Sequence, residues 1–280
     1  MTTYKFAHRY GKALQSVLGL LLVLVYLFPI YWMIVSSLKT SGEIFSNPPT
    51  LFPNELYLGN YLNQLRNSNL YLYLKNSFII SVCAMIGGIL LAAPASYALA
   101  RKPIRGIGVI MFLVIIIQMV PSNSLVLPLY AMFSKAHLTD SYVGVILANI
   151  TGSLPFVLLL LRTAFLNVPK GLEDAAAIDG CSNWGTFFKV MLPLTLPSLL
   201  TCAAFAFIFA WGELLYALVL LPNQTYWPIT LGMRTFISQY GTDWGGLMAT
   251  AAITSAPILI IFIFTQKHIV GGITAGSVKG

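Results

Sequence analysis

Charge is what this 280-residue chain has least of: only 9% of its residues are Asp, Glu, Lys or Arg, against roughly 25% in soluble domains. Hydrophobic residues make up 58%, and the mean hydropathy is +0.81. A water-soluble fold of this length needs far more polar surface to cover its core, so the composition describes an integral membrane protein. Cysteine is scarce as well. Cys83, Cys181 and Cys202 lie in apolar stretches or in a loop, and an odd number so placed excludes a disulfide framework and fits a reducing compartment. His8, His137 and His268 are far apart, and neither a His-Glu-x-x-His cluster nor a Gly-x-Ser-x-Gly elbow is present, which removes the basis for a membrane enzyme. A Gly-x-x-x-x-Gly-Lys-Ser/Thr loop is also missing, so the chain is not expected to bind ATP itself. Ten-residue segments of alternating polarity, the mark of barrel strands, are absent. So is an internal repeat, which leaves an inverted-repeat carrier unsupported.

What is present is a set of long uncharged runs. Crossing a hydrocarbon core about 30 Å thick takes roughly 20 helical residues. Stretches 13–38, 76–100, 106–134, 141–161, 190–212 and 244–266 carry no Asp, Glu, Lys or Arg. They predict an all-α polytopic membrane helix bundle with six transmembrane helices, near 13–36, 74–100, 107–130, 142–162, 196–221 and 246–267. The first run is too long for a cleaved signal peptide and no Ala-x-Ala-like site follows it, so it counts as a span. Pro29, Pro94, Pro121, Pro128, Pro155, Pro197 and Pro257 fall in or at the ends of these runs. Membrane helices tolerate them where neighbours satisfy the freed carbonyls, whether the bundle moves or is static.

Orientation follows from the loop cations. One side holds Lys5, Arg9, Lys12, Arg101, Lys102, Arg105, Arg162, Lys170, Lys189, Lys267 and Lys279, the other Lys39, Arg66, Lys75, Lys135 and Arg234. Eleven against five places both termini in the cytoplasm. The net charge of +8 is then a consequence of topology, and its scatter among loops gives no support to nucleic-acid binding. The reading is one membrane domain over 1–280, with its longest inner loop at 163–192 and an irregular outer loop over 39–73 that carries a short interfacial helix.

That inner loop is the charged island of the chain. Pro169 marks a helix start, and Glu173 and Asp174 fall in the first turn, where carboxylates favour the positive end of the dipole. Ala175, Ala176 and Ala177 combine high helix propensity with little bulk. Gly180 can take the left-handed conformation that closes a helix. Ser182 or Asn183 can cap a second short helix carrying Trp184, Phe187 and Phe188, before Leu192-Pro193 turns the chain into the fifth span. Three alanines for close approach and three aromatics as anchors make a knob that docks into another protein. An amphipathic hairpin resting on lipid would need a basic polar face, whereas this loop carries Glu173, Asp174 and Asp179.

Asp174-Ala175-Ala176-x-x-Asp179-Gly180, then nine residues, then Val190-Met191-Leu192-Pro193, resembles the EAA loop of binding-protein-dependent ABC importer permeases. The family pattern is Glu-Ala-Ala, three residues, Gly, nine residues, Ile-x-Leu-Pro. The spacing matches throughout; Asp174 stands for glutamate, which Glu173 could also supply, and Val190 for isoleucine. The similarity extends over nearly the whole chain and is nearest the carbohydrate-importer subgroup related to the maltose permease. It includes Pro29 to Met33, Ser36 to Lys39, Asn76-Ser77, Ala95 to Arg101, Trp211 to Leu218 and Tyr240 to Trp244. The subgroup often has Asn where Gly212 stands.

The resemblance implies a cytoplasmic coupling helix in which Glu173, Asp174, Ala175, Ala176, Asp179, Gly180, Leu192 and Pro193 meet the ATPase. It also implies a heterodimer with a second permease, two ATP-binding subunits that carry ATP and Mg, and an extracytoplasmic solute-binding protein. The solute would be carbohydrate-like and the site a bacterial or archaeal plasma membrane. Trp211, Glu213 and Tyr216 are candidates for the translocation pathway. For Glu213 a pathway or subunit-contact role stands beside a structural hydrogen bond, and for the two aromatics stacking on a sugar stands beside packing. Tyr226, Trp227, Tyr240 and Trp244 surround the last outer loop, either as a docking surface for the binding protein or as an interfacial belt. A secondary transporter or channel is the rival class, expected to show several ion-coupling carboxylates or a selectivity filter.

Overall fold

The computed structural model describes residues 2–66 and 68–275. Helices follow one another along the chain: α1 (Thr2–Ser37), α2 (Ser41–Ile44), α3 (Gly59–Arg66), α4 (Ser68–Arg101), α5 (Ile107–Met119), α6 (Ser122–Lys135), α7 (Tyr142–Asn167), α8 (Gly171–Ile178), α9 (Asn183–Thr186), α10 (Leu192–Leu194), α11 (Leu196–Gly212), α12 (Leu215–Leu220), α13 (Ile229–Gly232) and α14 (Trp244–Ala275). The strands among the described residues are two-residue pieces, β1 (Ile237–Ser238) and β2 (Gly241–Thr242), paired antiparallel.

Among the described residues, four helical segments are long and apolar enough to cross a membrane: Gln15–Ser37, Asn69–Arg101, Tyr142–Asn167 and Trp244–Gln266. Two bent pairs bring the number to six if each counts as one span: Ile107–Met119 with Asn123–Lys135, bent by 102°, and Asn183–Leu194 with Leu196–Gly212, bent by 80°. Two expected spans are therefore corrected. The third does not run unbroken over 107–130. Val120 closes α5 by donating to Ile117 O, and Pro121 has no N–H to extend the ladder and disfavours helix at the residue before it. The fifth does not continue to 221; Glu213 takes extended backbone at φ −73°, ψ 126°, and α12 starts afresh. Pro29, Pro94, Pro155 and Pro257, by contrast, sit inside continuous helices.

The chain divides into two compact units. The first comprises residues 1–67 and 235–255. In it the segment after α1, irregular over 45–58 and carrying the short helix α3, is fastened to the end of α1 itself. Lys39, 2% exposed, donates Nζ to Thr50 O and lies 4.9 Å from the Trp32 ring centroid. Asn60 donates to Ser37 O at 3.0 Å and to Lys39 O at 2.9 Å. Glu43 Oε1 accepts from Thr50 Oγ1 and Asn54 N.

The second unit, residues 68–234 and 256–280, is built on α4, α7 and α11 packed together. Small residues at the contact (Ala92, Ala93, Cys202 and Ala206, all buried) let the backbones approach closely, which is how membrane helices associate when lipid removes the hydrophobic drive. Tyr97, Val157, Leu161, Phe165, Phe187 and Met191 fill the rest of that cluster. Ser96 Oγ crosses to Leu158 O at 2.9 Å. Towards the other end of α4, Asn76 donates to Thr225 O and Trp227 O, each at 2.9 Å, and accepts from Tyr142 Oη at 2.6 Å. Ser77 Oγ accepts from Ile229 N at 2.8 Å. The pair Asn76-Ser77 thus pins the segment 224–229 onto α4.

Candidate functional site

The island at 169–195 is a helix pair whose boundaries are set by local chemistry. Glu173 and Asp174 occupy the first turn of α8, as the dipole favours. The helix closes in a Schellman arrangement: Cys181 N donates to Ala176 O at 2.9 Å and Gly180 N to Ala177 O at 3.1 Å. Gly180 has φ +80°, a left-handed conformation that residues with a Cβ rarely adopt. Ser182 then caps α9, accepting from Gly185 N at 3.1 Å. A single wide turn, Phe187–Met191, follows, with Leu192 N donating to Phe187 O. Such a turn carries one residue more than an α-helical turn and occurs often at functional sites. It leads through Leu192-Pro193 to the bend before α11.

The faces of α8 are unequal. Asp174, Ala175, Ala177, Asp179 and Gly180 are exposed, Ala176 is buried, and Ile178 is 86% exposed. Glu173 turns inward instead. Its Oε2 lies 3.2 Å from Arg101 Nε, with the two side chains 18% and 4% exposed, and Tyr97 hydrogen-bonds the same carboxylate. Arg101 also donates to Val168 O, at the end of α7, while Arg162 Nε reaches Leu99 O at 3.2 Å. Lys102 Nζ donates to Asn183 Oδ1 at 2.8 Å, tying α9 to the same end of α4. A polar recess of about 210 Å³ lies among Tyr97, Arg101, Glu173, Asp174, Cys181 and Thr186.

The aromatic anchors are corrected in one respect. Phe187 does not face a partner: it is 3% exposed, with ring centroids 5.2 Å from Tyr97 and 6.2 Å from Phe165. Trp184 and Phe188 are 63% and 59% exposed and stack on each other at 5.9 Å. Leu192 is half-buried against the core cluster and Pro193 is exposed.

The three pathway candidates lie together at the break after α11. Trp211 (3% exposed) stacks on Phe207 at 5.5 Å, and Tyr216 (4% exposed) belongs to the cluster of Ile80, Val145, Ala148 and Leu220. Both rings take part in packing within this chain. Glu213 is half-buried, and its two carboxylate oxygens accept from Leu215 N and Tyr216 N, both at 2.8 Å, while its carbonyl accepts from Thr230 Oγ1 at 3.0 Å. Of the outer-loop aromatics, Tyr226 packs on Tyr142 at 5.0 Å and Trp227 donates Nε1 to Leu221 O at 2.9 Å. Tyr240, at the β1–β2 turn, is 92% exposed, and Trp244 41%.

Arg101 and Lys102 were legible in sequence only as positive charge ending a helix before Pro103. Nothing in the spacing links them to Glu173 or Asn183; a basic pair and an acidic pair confined to the same side of the membrane was the only available hint.

Residues 84–274 match the family model described as "Binding-protein-dependent transport system inner membrane component". The diacetylchitobiose uptake system permease protein DasC of Streptomyces coelicolor is 33% identical over 271 residues, 97% of this chain and 98% of that protein. The arabinooligosaccharides transport system permease protein AraQ of Halalkalibacterium halodurans is 36% identical over 256 residues, 90% of this chain and 91% of that protein. Among solved structures, a bacterial ABC transporter involved in import of the acidic polysaccharide alginate superposes with a TM-score of 0.79 at 20% identity, covering 92% of this chain and 96% of that chain. That likeness fixes the helical fold, and the matched span, with relatives aligned almost end to end, fixes the family. The chain belongs to the binding-protein-dependent transport system inner-membrane components, as an integral-membrane permease of that family.

Proposed function

We propose that this chain forms, with a second permease, the pathway of an ATP-driven importer for a sugar, oligosaccharide or related polyol delivered by an extracytoplasmic binding protein. Two cytoplasmic subunits bind and hydrolyse ATP with its Mg, and both termini of this chain lie on their side of the membrane. The observation that carries the reading is the open face of α8: Asp174, Ala175, Asp179 and Gly180 are exposed on a helix whose other side is fastened to its own bundle. Such a helix moves as a rigid knob. When the ATPases close on ATP, the knob carries the attached helices and the cavity between the permeases switches sides, a two-state change favoured by nucleotide and loaded binding protein together.

The solute class is supported by relatives named for diacetylchitobiose and arabinooligosaccharides. The orientation is supported by the eleven-to-five bias of loop cations. A secondary transporter or channel is disfavoured because the carboxylate of Glu213 is committed to capping α12.

The test is purification from the native host through a tag on this chain, mass spectrometry of the co-purifying subunits, and reconstitution into liposomes. The assembly contains an ATPase and a second permease, and takes up diacetylchitobiose or arabinotriose only with ATP and its binding protein. Uptake of either sugar without nucleotide overturns the reading.

A further inference from the structure

We propose that Arg101 is the positioning residue through which movement of α8 reaches the membrane helices, and that Glu173 is its inward contact rather than a contact for the ATPase. The inference rests on the function proposed above and deepens it.

Two adjacent carboxylates in the first turn of α8 have opposite environments. Asp174 is exposed, whereas the Glu173 side chain is 18% exposed and pairs with Arg101 at 3.2 Å. Arg101 is the last residue of α4, and its side chain is 4% exposed. The same guanidinium donates to Val168 O, one residue past the end of α7. One permanently charged group therefore joins the ends of two spanning helices to the first turn of α8, through a hydrogen bond to Val168 O and an ion pair to Glu173 that is not itself a hydrogen bond.

The second link makes the first decisive. Lys102 holds Asn183 at 2.8 Å, but Asn183 and Lys102 are exposed, and an exposed pair of this kind contributes little. The pair with Glu173 does not yield easily, because separating it leaves the Arg101 guanidinium, on a side chain only 4% exposed, without its counter-charge. A displacement of α8 is thus passed to α4 and α7 together through Arg101, while Asp174 remains available on the outer face.

The experiment uses the whole assembly, reconstituted with its binding protein and scored for diacetylchitobiose or arabinotriose uptake per ATP hydrolysed. Arg101→Gln retains the ATPase subunits on purification, yet lowers uptake per ATP by about tenfold, the size of an interaction between contacting residues in one ion-pair network. Arg101→Lys recovers part of the ratio. Arg101→Gln combined with Glu173→Gln removes both buried charges and recovers the thermal midpoint but not the ratio. The proposal is overturned by a wild-type ratio in Arg101→Gln, by uptake and hydrolysis falling in the same proportion, or by Arg101→Gln shedding the ATPase. If wild type itself shows no ATP-dependent uptake, the underlying functional reading fails instead.

Discussion

Glu213 and Tyr216 are joined by a hydrogen bond from the Tyr216 amide to Glu213 Oε2 at 2.8 Å, with Leu215 N donating to the other oxygen at 2.8 Å. A carboxylate inside an apolar run is expensive unless its acceptors are satisfied. Here both oxygens take orphan amides of a new helix, and the chain uses the residue to stop one helix and start the next.

Glu213→Ala therefore lowers stability by about 1–2 kcal/mol, the range for losing an N-terminal cap. Glu213→Gln keeps one acceptor oxygen and lowers it by less. Thermal unfolding of the purified assembly reads the difference, and an unchanged midpoint in Glu213→Ala would show that the cap is unimportant.

Substitutions at Gly180 separate backbone strain from crowding, because a Cβ built there meets nothing within 4 Å while φ is +80°. Gly180→Ala costs about 1–2 kcal/mol for the left-handed conformation alone. Gly180→Asn costs less, since asparagine visits that region more readily, and Gly180→Pro is incompatible with the angle. ATP-driven uptake falls in the order Asn, Ala, Pro, with Pro abolishing it. Equal uptake in all three would mean that the closure of α8 does not matter to transport.

Much of this site could be read before any coordinates, and the reason is that its signals are local. The first-turn acids, the glycine at the helix end and the Ser182 cap each depend on residues within one helical turn, and all three occur where local chemistry puts them. The four unbroken spans were equally legible, since span length is a property of consecutive residues. What stayed hidden was long-range or bistable. Pro94 and Pro121 look alike in sequence, yet one lies within an unbroken helix and the other ends one, because packing decides whether freed carbonyls find partners. Phe187 and Phe188 are adjacent aromatics of opposite fate, assigned by a wide turn that hydropathy does not encode. Glu173 could not be told from Asp174 until Arg101 was seen beside it.

That neighbouring pair gives a sharp comparison. Phe187→Ala empties a site among Tyr97, Phe165 and Met191 and costs about 3–5 kcal/mol. Phe188→Ala, removing a ring already 59% exposed, stays within about 0.5 kcal/mol. If the exposed aromatic face helps hold the ATPase, Phe188→Ala weakens retention of that subunit on a tagged column without moving the thermal midpoint. The reverse pattern, a stability loss at Phe188 and none at Phe187, would contradict the packing described here.

Asn76 is fully buried and makes three hydrogen bonds, two to the carbonyls of Thr225 and Trp227 and one from Tyr142 Oη. Asn76→Ala leaves those carbonyls and the tyrosine hydroxyl without this partner, at a cost of about 1–3 kcal/mol for part-buried groups left unsatisfied. Asn76→Asp keeps an acceptor for Tyr142 but loses both donors and buries a charge, so it is the worse of the two. Because these bonds hold residues 225–227 against α4, the variants also free that segment. Limited proteolysis of the assembly in membranes then cuts between Leu221 and Ile229 several times faster than in wild type. Ser77→Ala, which removes only the acceptor for Ile229 N, gives a smaller increase at the same place. Cleavage at the wild-type rate in Asn76→Ala would mean that this segment is held by the packing of Trp227 on Tyr73, 6.1 Å apart, and not by the asparagine.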